Sequence, residues 1–586
     1  SWFKGPGKSS KRSAGRRGQK KGTQQAMFGQ EKRPSADLSW HLRAWGQWVH
    51  ARVAEELAAF YPVYVELRAP RQKEALAWEA VPPGTDPEEH ARAKNAELFD
   101  GGEPGVDSPM WVVVPTMAYL WARTVPCKKC GADLPLLKTR WLSKKENTRA
   151  VLTMATVDDG AAPGGKRVVF GVRMHLPVPK GNRNQKIAKD KEVGKGTMNR
   201  AGAVCPCCDA PMSMDDIRLR GVDGQLGQRM TSVVVSGAKG KEFRLPRIEE
   251  TDACANSAIA LSSTFADVHL GMPTEPTPKA GQGASRAFSV DGYGLDSWDK
   301  LFTTRQLVAL GTFLKAIRSS ASEMTGLGYP SNWIEAIYAY LCVRFNRLLD
   351  RCSTICRPDP SPTQSGIMNT FARFALPMTW DFIEGNTLAE GSGGWLGDTD
   401  WVSLVVERNL GMTNAESPEI ARRSAIEVVS SEREALDAVI TDPPYYDAIP
   451  YSDLMDFFYV WMRRLLVDSP IDTQGHFDTP LAPKWDADAN DGELVEDASR
   501  FEGDCDVARA TYEDGMFRSF QAMWRALKPD GRLVVVFANK QPDAWEALVS
   551  ALIRAGFQVT GSWPLQTERQ ARTRSLTESI LATQCR

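Results

Sequence analysis

A tetrapeptide near the carboxyl end, Asp442-Pro443-Pro444-Tyr445, has the residue types with the clearest chemical use in this chain. It follows the apolar run 437–441, which predicts a buried parallel strand. The consecutive prolines fix φ and lack N–H groups, so they hold the carbonyls of this turn rigidly. A carboxylate and a main-chain carbonyl could accept both hydrogens of an aromatic amino group, and the tyrosine ring could stack on an extruded base. Asp and Pro also favour ordinary turns, so a simple strand-to-turn junction is the alternative interpretation. We call residues 442–445 the diproline corner.

Four of the eleven cysteines form two Cys-x-x-Cys pairs, Cys127 with Cys130 and Cys205 with Cys208. Four thiolates arranged tetrahedrally are the usual structural zinc site, which is closed to water and not catalytic. Because 74 residues separate the pairs, an insertion must lie between them. Cys207 is an alternative ligand within the second pair, and four unliganded thiols are the remaining alternative. The spacing favours structural Zn²⁺ bound by the two pairs.

Length and composition bound the class of protein. The 586 residues are too many for one ordinary core, so about two to four domains are expected. An apolar fraction of 42% and a charged fraction of 25% are typical of globular proteins. The 72 basic residues balance 72 acidic ones, so any nucleic-acid surface must come from local clustering. Without a long apolar run or a signal-peptide core, we expect a cytoplasmic protein with reduced thiols and no membrane partner.

Changes in composition along the chain predict five segments. Basic and Gly-rich residues at the start cannot form a core, whereas apolar residues at helical spacing over 38–61 predict a helix. The stretch 80–109 is acidic and predicts a loop. The segments are a basic disordered connector (1–35), a helical segment with an acidic loop (36–109), a zinc-ribbon insertion (110–245), a linker with a helical block (246–365) and an α/β domain (366–586).

The α/β domain is predicted to be half of a doubly wound, Rossmann-like sheet. Short apolar runs predict its strands, and apolar residues spaced three and four apart predict its helices. Because such sheets bind ligands at strand carboxyl ends, the diproline corner would occupy a binding position. The predicted strands are 424–429, 437–441, 533–537 and a closing pair at 557–563 and 575–584, and the predicted helices are 453–461, 516–527 and 545–553.

Two further groups of charged residues have competing interpretations. Asp381 and Glu384 could form a carboxylate pair, but the start of an amphipathic helix is the favoured explanation. Arg569, Arg572 and Arg574 lie between the closing strands, where a loop could contact DNA phosphates or form a solvated hairpin tip.

Taken together, these residues resemble a family of large adenine-specific DNA methylases with a zinc-ribbon insertion, often associated with bacterial phage-defence gene clusters. The resemblance implies a class I methyltransferase sheet, S-adenosylmethionine as methyl donor and double-stranded DNA as substrate. It implies that Asp442 and the Pro443 carbonyl bind the target amino group, adenine N6 ahead of cytosine N4, and that Tyr445 stacks on the base. It spans most of the chain and rests on residues 119–124, 141–145, 301–307, 380–386, 437–461, 537–540 and 562–564.

The chain departs from that family in one respect. Similar methyltransferases bind the donor with an Asp/Glu-x-Phe-x-Gly-x-Gly-like loop after their first strand, and no such sequence occurs here. We therefore expect the N-terminal donor-binding segment to be truncated or supplied by another polypeptide, and this chain alone to bind S-adenosylmethionine weakly. Ser424 and Ala425, at a predicted strand end, could line the donor site or be ordinary strand-edge residues. Other defence-system proteins are further candidate partners.

Two alternatives to DNA methylation stay open at this point. The first is methylation of RNA guanine N2 or of a protein side-chain amide, although relatives that act on glutamine favour Asn at the position of Asp442. The second is a non-catalytic, zinc-containing subunit that binds nucleic acid. The missing donor loop favours this second alternative, and the intact diproline corner opposes it.

Overall fold

The computed structural model describes residues 37–565 and 578–585, except for residues 71, 73, 106, 238–239, 282, 359–365, 411–417, 428–432, 448 and 472. The predicted basic connector over 1–35 lies outside the described residues. The same holds for Arg569, Arg572 and Arg574, the candidate DNA contacts between the closing strands.

Helices form where apolar residues recur at three- and four-residue spacing and a polar side chain caps the first turn. In the first helix the Asp37 carboxylate accepts a hydrogen bond from the Trp40 N–H at 3.1 Å, and Leu42, Trp45 and Val49 are buried. The α-helices are α1 (Leu38–Leu57), α2 (Pro87–Leu98), α3 (Arg183–Val193), α4 (Met214–Val222), α5 (Ile248–Ala266), α6 (Thr304–Gly326), α7 (Ser331–Leu349), α8 (Trp395–Leu410), α9 (Tyr451–Leu466), α10 (Cys505–Ala526) and α11 (Pro542–Arg554).

Most of the predicted helices are confirmed. Helices α1, α9, α10 and α11 occupy the expected stretches, although α1 ends at Leu57, before the predicted end at residue 61. The prediction of a loop over 80–109 is wrong, because the Asp86 carboxylate caps α2 and Pro87 takes its first position. Helix α5 likewise lies in a stretch that was expected to be a linker.

The strands of the first half of the chain form antiparallel sheets. They are β1 (Tyr64–Arg68), β2 (Ala77–Ala80), β3 (Met110–Val114), β4 (Thr116–Pro126), β5 (Asp133–Leu136), β6 (Trp141–Ser143), β7 (Ala150–Asp158), β8 (Lys166–Met174), β9 (Gly202–Val204), β10 (Pro211–Ser213), β11 (Gly227–Gly237) and β12 (Gly240–Arg244). The later strands are β13 (Arg357–Pro358), β14 (Ile367–Met368), β15 (Asp381–Gly385), β16 (Leu436–Thr441), β17 (Trp485–Asp486), β18 (Asp491–Gly492), β19 (Leu527–Phe537), β20 (Phe557–Leu565) and β21 (Glu578–Cys585).

A central antiparallel sheet joins segments that are far apart in the chain. Its order is β12-β11-β4-β15, with β5 also paired to β4. One hydrophobic core connects this sheet to α1 and α6–α9 and contains the fully buried Trp298, Trp395 and Trp461. The predicted helix start at Asp381 and Glu384 is wrong, because both residues lie in β15. They point to opposite faces of that strand, so they form no carboxylate pair.

A second, smaller sheet has the order β16-β19-β21-β20. Strands β16 and β19 are parallel, whereas β21 is antiparallel to both of its neighbours. The pairing of β20 with β21 confirms the predicted closing pair. Helices α10 and α11 cover one face, where Leu533, Val535 and Phe537 are buried together with Phe520 and Leu548. The result is a mixed α/β unit.

Two predictions about this second sheet are wrong. Strand β16 is parallel, as predicted, but it is not buried: it forms the edge of the sheet, and Ile440 is 76% exposed. Only the face of β16 that carries Val439 packs against the core beneath the two helices. Residues 424–427 form no strand, since 425–426 make a turn, while 428–429 lie outside the described residues.

None of the helices in the described part of the chain combines the length and the apolar character needed to cross a membrane.

Candidate active site and candidate metal centre

The diproline corner lies at the carboxyl-terminal edge of two parallel strands. Thr441, the last residue of β16, is paired with Val535 near the end of β19, so the segments that follow both strands leave the sheet at the same edge. Asn539, in the segment after β19, donates from Nδ2 to the Tyr445 carbonyl at 3.1 Å. This edge is where open α/β sheets bind their ligands.

Hydrogen bonds fix three successive carbonyls in and beside the corner. The Tyr512 hydroxyl donates to the Pro444 carbonyl at 2.7 Å, and Asn539 holds the next carbonyl. The Glu496 N–H donates to the Tyr446 carbonyl at 3.2 Å. Tyr446 has a φ of 60°, a left-handed conformation that is uncommon for a residue with a side chain. Its buried ring packs edge-on against the Tyr512 ring, with centroids 5.1 Å apart, which keeps this conformation in place.

The remaining acceptors of the corner are free. The Asp442 side chain is exposed, and no residue in the described ranges forms a hydrogen bond or an ion pair with it. The Pro443 carbonyl likewise accepts no hydrogen bond from a described residue. The corner therefore presents one exposed carboxylate, that of Asp442, beside three carbonyls that are already bonded, and the carbonyl left unbonded among the described residues belongs to the buried Pro443.

The Tyr445 ring is held at the same edge by other aromatic rings. Its centroid lies 5.5 Å from that of Phe537, with the ring planes at 80°. Phe537 in turn packs edge-on against Trp545 of α11 at 5.0 Å. Edge-to-face contacts of this kind are favourable and orient the rings. The predicted base-stacking residue is thus oriented by contacts with the end of β19 and with α11.

Asp447 anchors the far end of the corner and was not predicted from the sequence. Its buried carboxylate accepts hydrogen bonds from Arg286 at 3.0 Å and from Gln541 Nε2 at 3.1 Å. The segment that carries Arg286 is held in turn by Asp497, whose carboxylate accepts from the Ser285 N–H at 3.2 Å. The position of Asp447 directly after the two tyrosines was a local signal for such a role. Its partner Arg286 lies 161 residues away and gave none.

Tyr451, at the start of α9, is a second residue that the sequence analysis missed. Burial and then the charges of Asp442 and Glu493 raise the pKa of its hydroxyl, so the phenol stays protonated at neutral pH. The carboxylate of Glu493 accepts from the Ser452 N–H at 2.8 Å and from Arg500 at 2.6 Å. The charge of Asp442 therefore acts on the Tyr451 hydroxyl.

The predicted donor-lining residues do not lie at a strand end. Ser424 and Ala425 belong to an irregular segment, and the Ser424 hydroxyl donates to Asp491 of β18 at 2.9 Å. In the described ranges, no strand pairs with the outer edge of β16. The residues present therefore do not form a recognisable site for a methyl donor, and we assign none of them to donor binding.

The four predicted cysteine ligands lie together. Their Sγ atoms are all within 4.8 Å of one another, with 3.7 Å between Cys127 and Cys208 and 3.8 Å between Cys130 and Cys205. A tetrahedral site with Zn–S bonds of about 2.3 Å requires sulfur atoms about 3.8 Å apart. This cluster could therefore hold a zinc ion. Cys207 lies outside it, with its Sγ 3.9 Å from the Lys166 carbonyl.

The two Cys-x-x-Cys turns share one backbone pattern. The Gly131 N–H donates to the Cys127 carbonyl at 2.9 Å, and the Asp209 N–H donates to the Cys205 carbonyl at the same distance. Gly131 and Asp209 have φ values of 72° and 56°, which the tight turn requires. The first turn follows β4 directly, and the second lies between β9 and β10. The four-cysteine cluster thus joins two turns that are separated by 74 residues in the chain.

No protein-family model matches this chain, and no curated protein matches it either. The support for a function therefore comes from the geometry of the site itself.

Proposed function

We propose that this protein is a DNA amino-methyltransferase that acts on adenine N6 through the diproline corner. The observation that carries the proposal is the Asp442 carboxylate, which is exposed at the carboxyl-terminal edge of the sheet and has no partner among the described residues. The neighbouring Pro444 and Tyr445 carbonyls are bonded to Tyr512 and Asn539, so the corner is rigid. A free acceptor on a rigid turn is available to a ligand at no cost in reorganisation.

The residues of the corner would act by accepting hydrogens. The nitrogen of an aromatic amine is a weak nucleophile, because its lone pair is delocalised into the ring. Asp442 and the Pro443 carbonyl, each accepting one N–H, would draw this nitrogen towards tetrahedral geometry and orient its lone pair. Tyr445 would stack on the extruded base. S-adenosylmethionine is the methyl donor that this chemistry would require, and its site would have to be formed by residues other than those described here.

Mass spectrometry of nucleosides from the DNA of cells that produce the protein tests this proposal. We expect the wild type to raise the content of N6-methyladenine above that of cells with an empty vector. The Asp442→Asn variant keeps the size of the side chain but loses its charge. It is expected to lower methylation by about 100-fold or more, as when one preorganised group is removed from an active site.

Asp437→Asn is the matched control for this experiment. Asp437 is an exposed aspartate at the opposite end of the same strand, where it pairs with Lys528 at 2.6 Å. We expect this variant to methylate as the wild type does. Methylation that persists in Asp442→Asn, or an equal loss in both variants, would contradict the role assigned to Asp442.

A second candidate function is a non-catalytic, zinc-containing subunit that binds nucleic acid. The observation that favours it is the free outer edge of β16, where the described residues provide no donor loop. Titration calorimetry of the chain with S-adenosylmethionine separates the two functions. Binding of the donor supports the methyltransferase, whereas retained DNA binding without donor binding supports the subunit.

A further inference from the structure

The zinc-bearing part of the chain is strongly basic, although the protein as a whole has no net charge. Residues 127–213 contain 17 Lys and Arg against 7 Asp and Glu, whereas the whole chain has 72 of each kind. This basic region consists of the two cysteine turns, β5, the antiparallel sheet β6-β7-β8, helix α3 and the hairpin β9-β10. This region therefore carries a surplus of ten positive charges, in addition to the surplus of the basic segment 1–35.

Helix α3 is the most exposed helix of this region. It has 11 residues, and none of them is buried. A helix of this length is marginal in water, and most helices are stabilised by burying an apolar face, which α3 lacks. Its first turn is closed by a capping box instead. The Asn182 side chain accepts from the Gln185 N–H at 3.0 Å, and the Gln185 side chain accepts from the Asn182 N–H at 3.0 Å.

The last turn of α3 is attached to the β-sheet of the basic region. Arg140 donates to the Val193 carbonyl at 3.0 Å and to the Lys195 carbonyl at 2.7 Å. Trp141 donates from Nε1 to the Asp190 carbonyl at 2.7 Å, and the Asp190 carboxylate pairs with Arg149 at 2.6 Å. Both ends of the helix are thus fixed while its sides face solvent.

In the part of the chain that the structure describes, the cations of α3 are unpaired, unlike some of the cations around them. Elsewhere in the basic region, Lys128, Arg149 and Arg167 form ion pairs, whereas Lys129, Lys138 and Arg173 are exposed and form none in the described ranges. The cations on α3 and beside it are exposed and form no ion pair within the described residues. They are Lys180, Arg183, Lys186, Lys189, Lys191, Lys195 and Arg200.

We infer that α3 and its flanking cations form the surface through which this protein binds the phosphates of double-stranded DNA. Phosphate contacts by Lys and Arg provide the affinity and the salt dependence of DNA binding. Single-stranded nucleic acid would instead require exposed aromatic rings for stacking. In the basic region, Trp141 is covered by Arg149, whose guanidinium lies 4.6 Å from the ring centroid, and Phe170 is covered by Arg229 at 4.9 Å. A membrane surface would require an apolar helix face, which α3 lacks.

This inference concerns DNA binding alone, so it stands or falls independently of methyl transfer. Fluorescence anisotropy of the full chain with a labelled duplex tests it over a range of salt concentrations, without any methyl donor. The test variant replaces Lys186, Lys189 and Lys191 by Ala, which is a good helix former. The control variant replaces three exposed arginines outside the basic region by Ala and so loses the same charge: Arg92, Arg373 and Arg554.

The two variants are expected to differ in their salt dependence. Each phosphate contact contributes roughly 0.9 to the slope of log K against log salt concentration, so the α3 variant should lose a slope of roughly 2.7. The control variant should keep the wild-type slope, and both should keep the wild-type helix content and zinc content. An unchanged slope for the α3 variant, or equal losses in both variants, would overturn the inference. Loss of binding to phosphatidylserine vesicles with unchanged DNA binding would overturn it as well.

Discussion

Replacing Glu384 by Gln is expected to lower the free energy of unfolding by about 3–5 kcal/mol, because it leaves the charge of Arg305 buried without a counter-ion. Both side chains are 0% exposed, and Arg305 Nε donates to Glu384 Oε1 at 2.7 Å. No other anion is in contact with this guanidinium in the described structure. Its other near neighbours include the Tyr119 ring, with its centroid at 3.8 Å, the Tyr61 ring at 5.2 Å and the Phe60 carbonyl at 3.4 Å.

The Glu384→Gln variant cannot adapt by loss of the Arg305 charge. Burial opposes ionisation of Arg305, yet Glu384 and Tyr119 hold the pKa of the guanidinium well above its usual value. An arginine stays protonated in proteins in any case. The pair also joins α6 to β15 of the central sheet, so its loss weakens the contact between two layers of the main core.

The pair of Arg43 and Glu407 provides a matched control. Its atoms are 2.9 Å apart, but the side chains are 36% and 55% exposed. Glu407→Gln is expected to cost less than about 1 kcal/mol, because water screens and solvates both groups. Urea unfolding followed by tryptophan fluorescence measures both variants. Equal losses in Glu384→Gln and Glu407→Gln would refute the reasoning, and so would a double variant, Arg305→Met with Glu384→Leu, that is no more stable than Glu384→Gln.

Two further outcomes are expected. Replacing Cys205 by Ser should release zinc and expose residues 127–213 to cleavage by trypsin. The control variant Cys207→Ser should keep its metal. Loss of metal in Cys207→Ser would contradict the proposed set of four ligands. Burial raises the pKa of Asp381 to about 6. The folded protein therefore binds the proton of this carboxyl group more tightly than the unfolded chain does, and stability is lost as the pH rises from about 4 to 6. Urea unfolding should therefore show that the free energy of unfolding of Asp381→Asn rises relative to that of the wild type, by up to about 3 kcal/mol between pH 4 and pH 8. Parallel pH dependences of the two proteins would contradict this prediction.

Local chemistry could be predicted from the sequence where it depends on neighbouring residues. The two Cys-x-x-Cys pairs specify their own turns, and Cys208 lies in the four-cysteine cluster, as the spacing predicts, whereas Cys207 does not. Helix α9 follows from its apolar periodicity. Helix α2 was missed although Asp86-Pro87 is a typical helix start, because the acidic composition of the stretch was given more weight than its cap.

Features that depend on distant contacts could not be predicted. Strand β15 is too short to show a pattern, and its place is set by pairing with β4 and by the ion pair of Glu384 with Arg305, 79 residues away. The expected placement of Asp442 after a parallel strand is confirmed. The side chains that hold the corner, Tyr512 and Asn539, lie 68 and 94 residues from the carbonyls they bind, so no local signal identified them.

The position of the four-cysteine centre has a consequence for the folding of the central sheet. Strands β4 and β11 pair with each other, yet about 100 residues, 127–226, separate them in the chain. If the two cysteine turns are joined first, the loop that must still close shrinks to about 20 residues. The entropic cost of closing it then falls by about 1.4 kcal/mol, which corresponds to about tenfold faster pairing of β4 with β11. The supply of metal during synthesis would then control how quickly β4 finds β11, and a chain made in zinc-starved cells would spend longer with these two strands apart and open to aggregation.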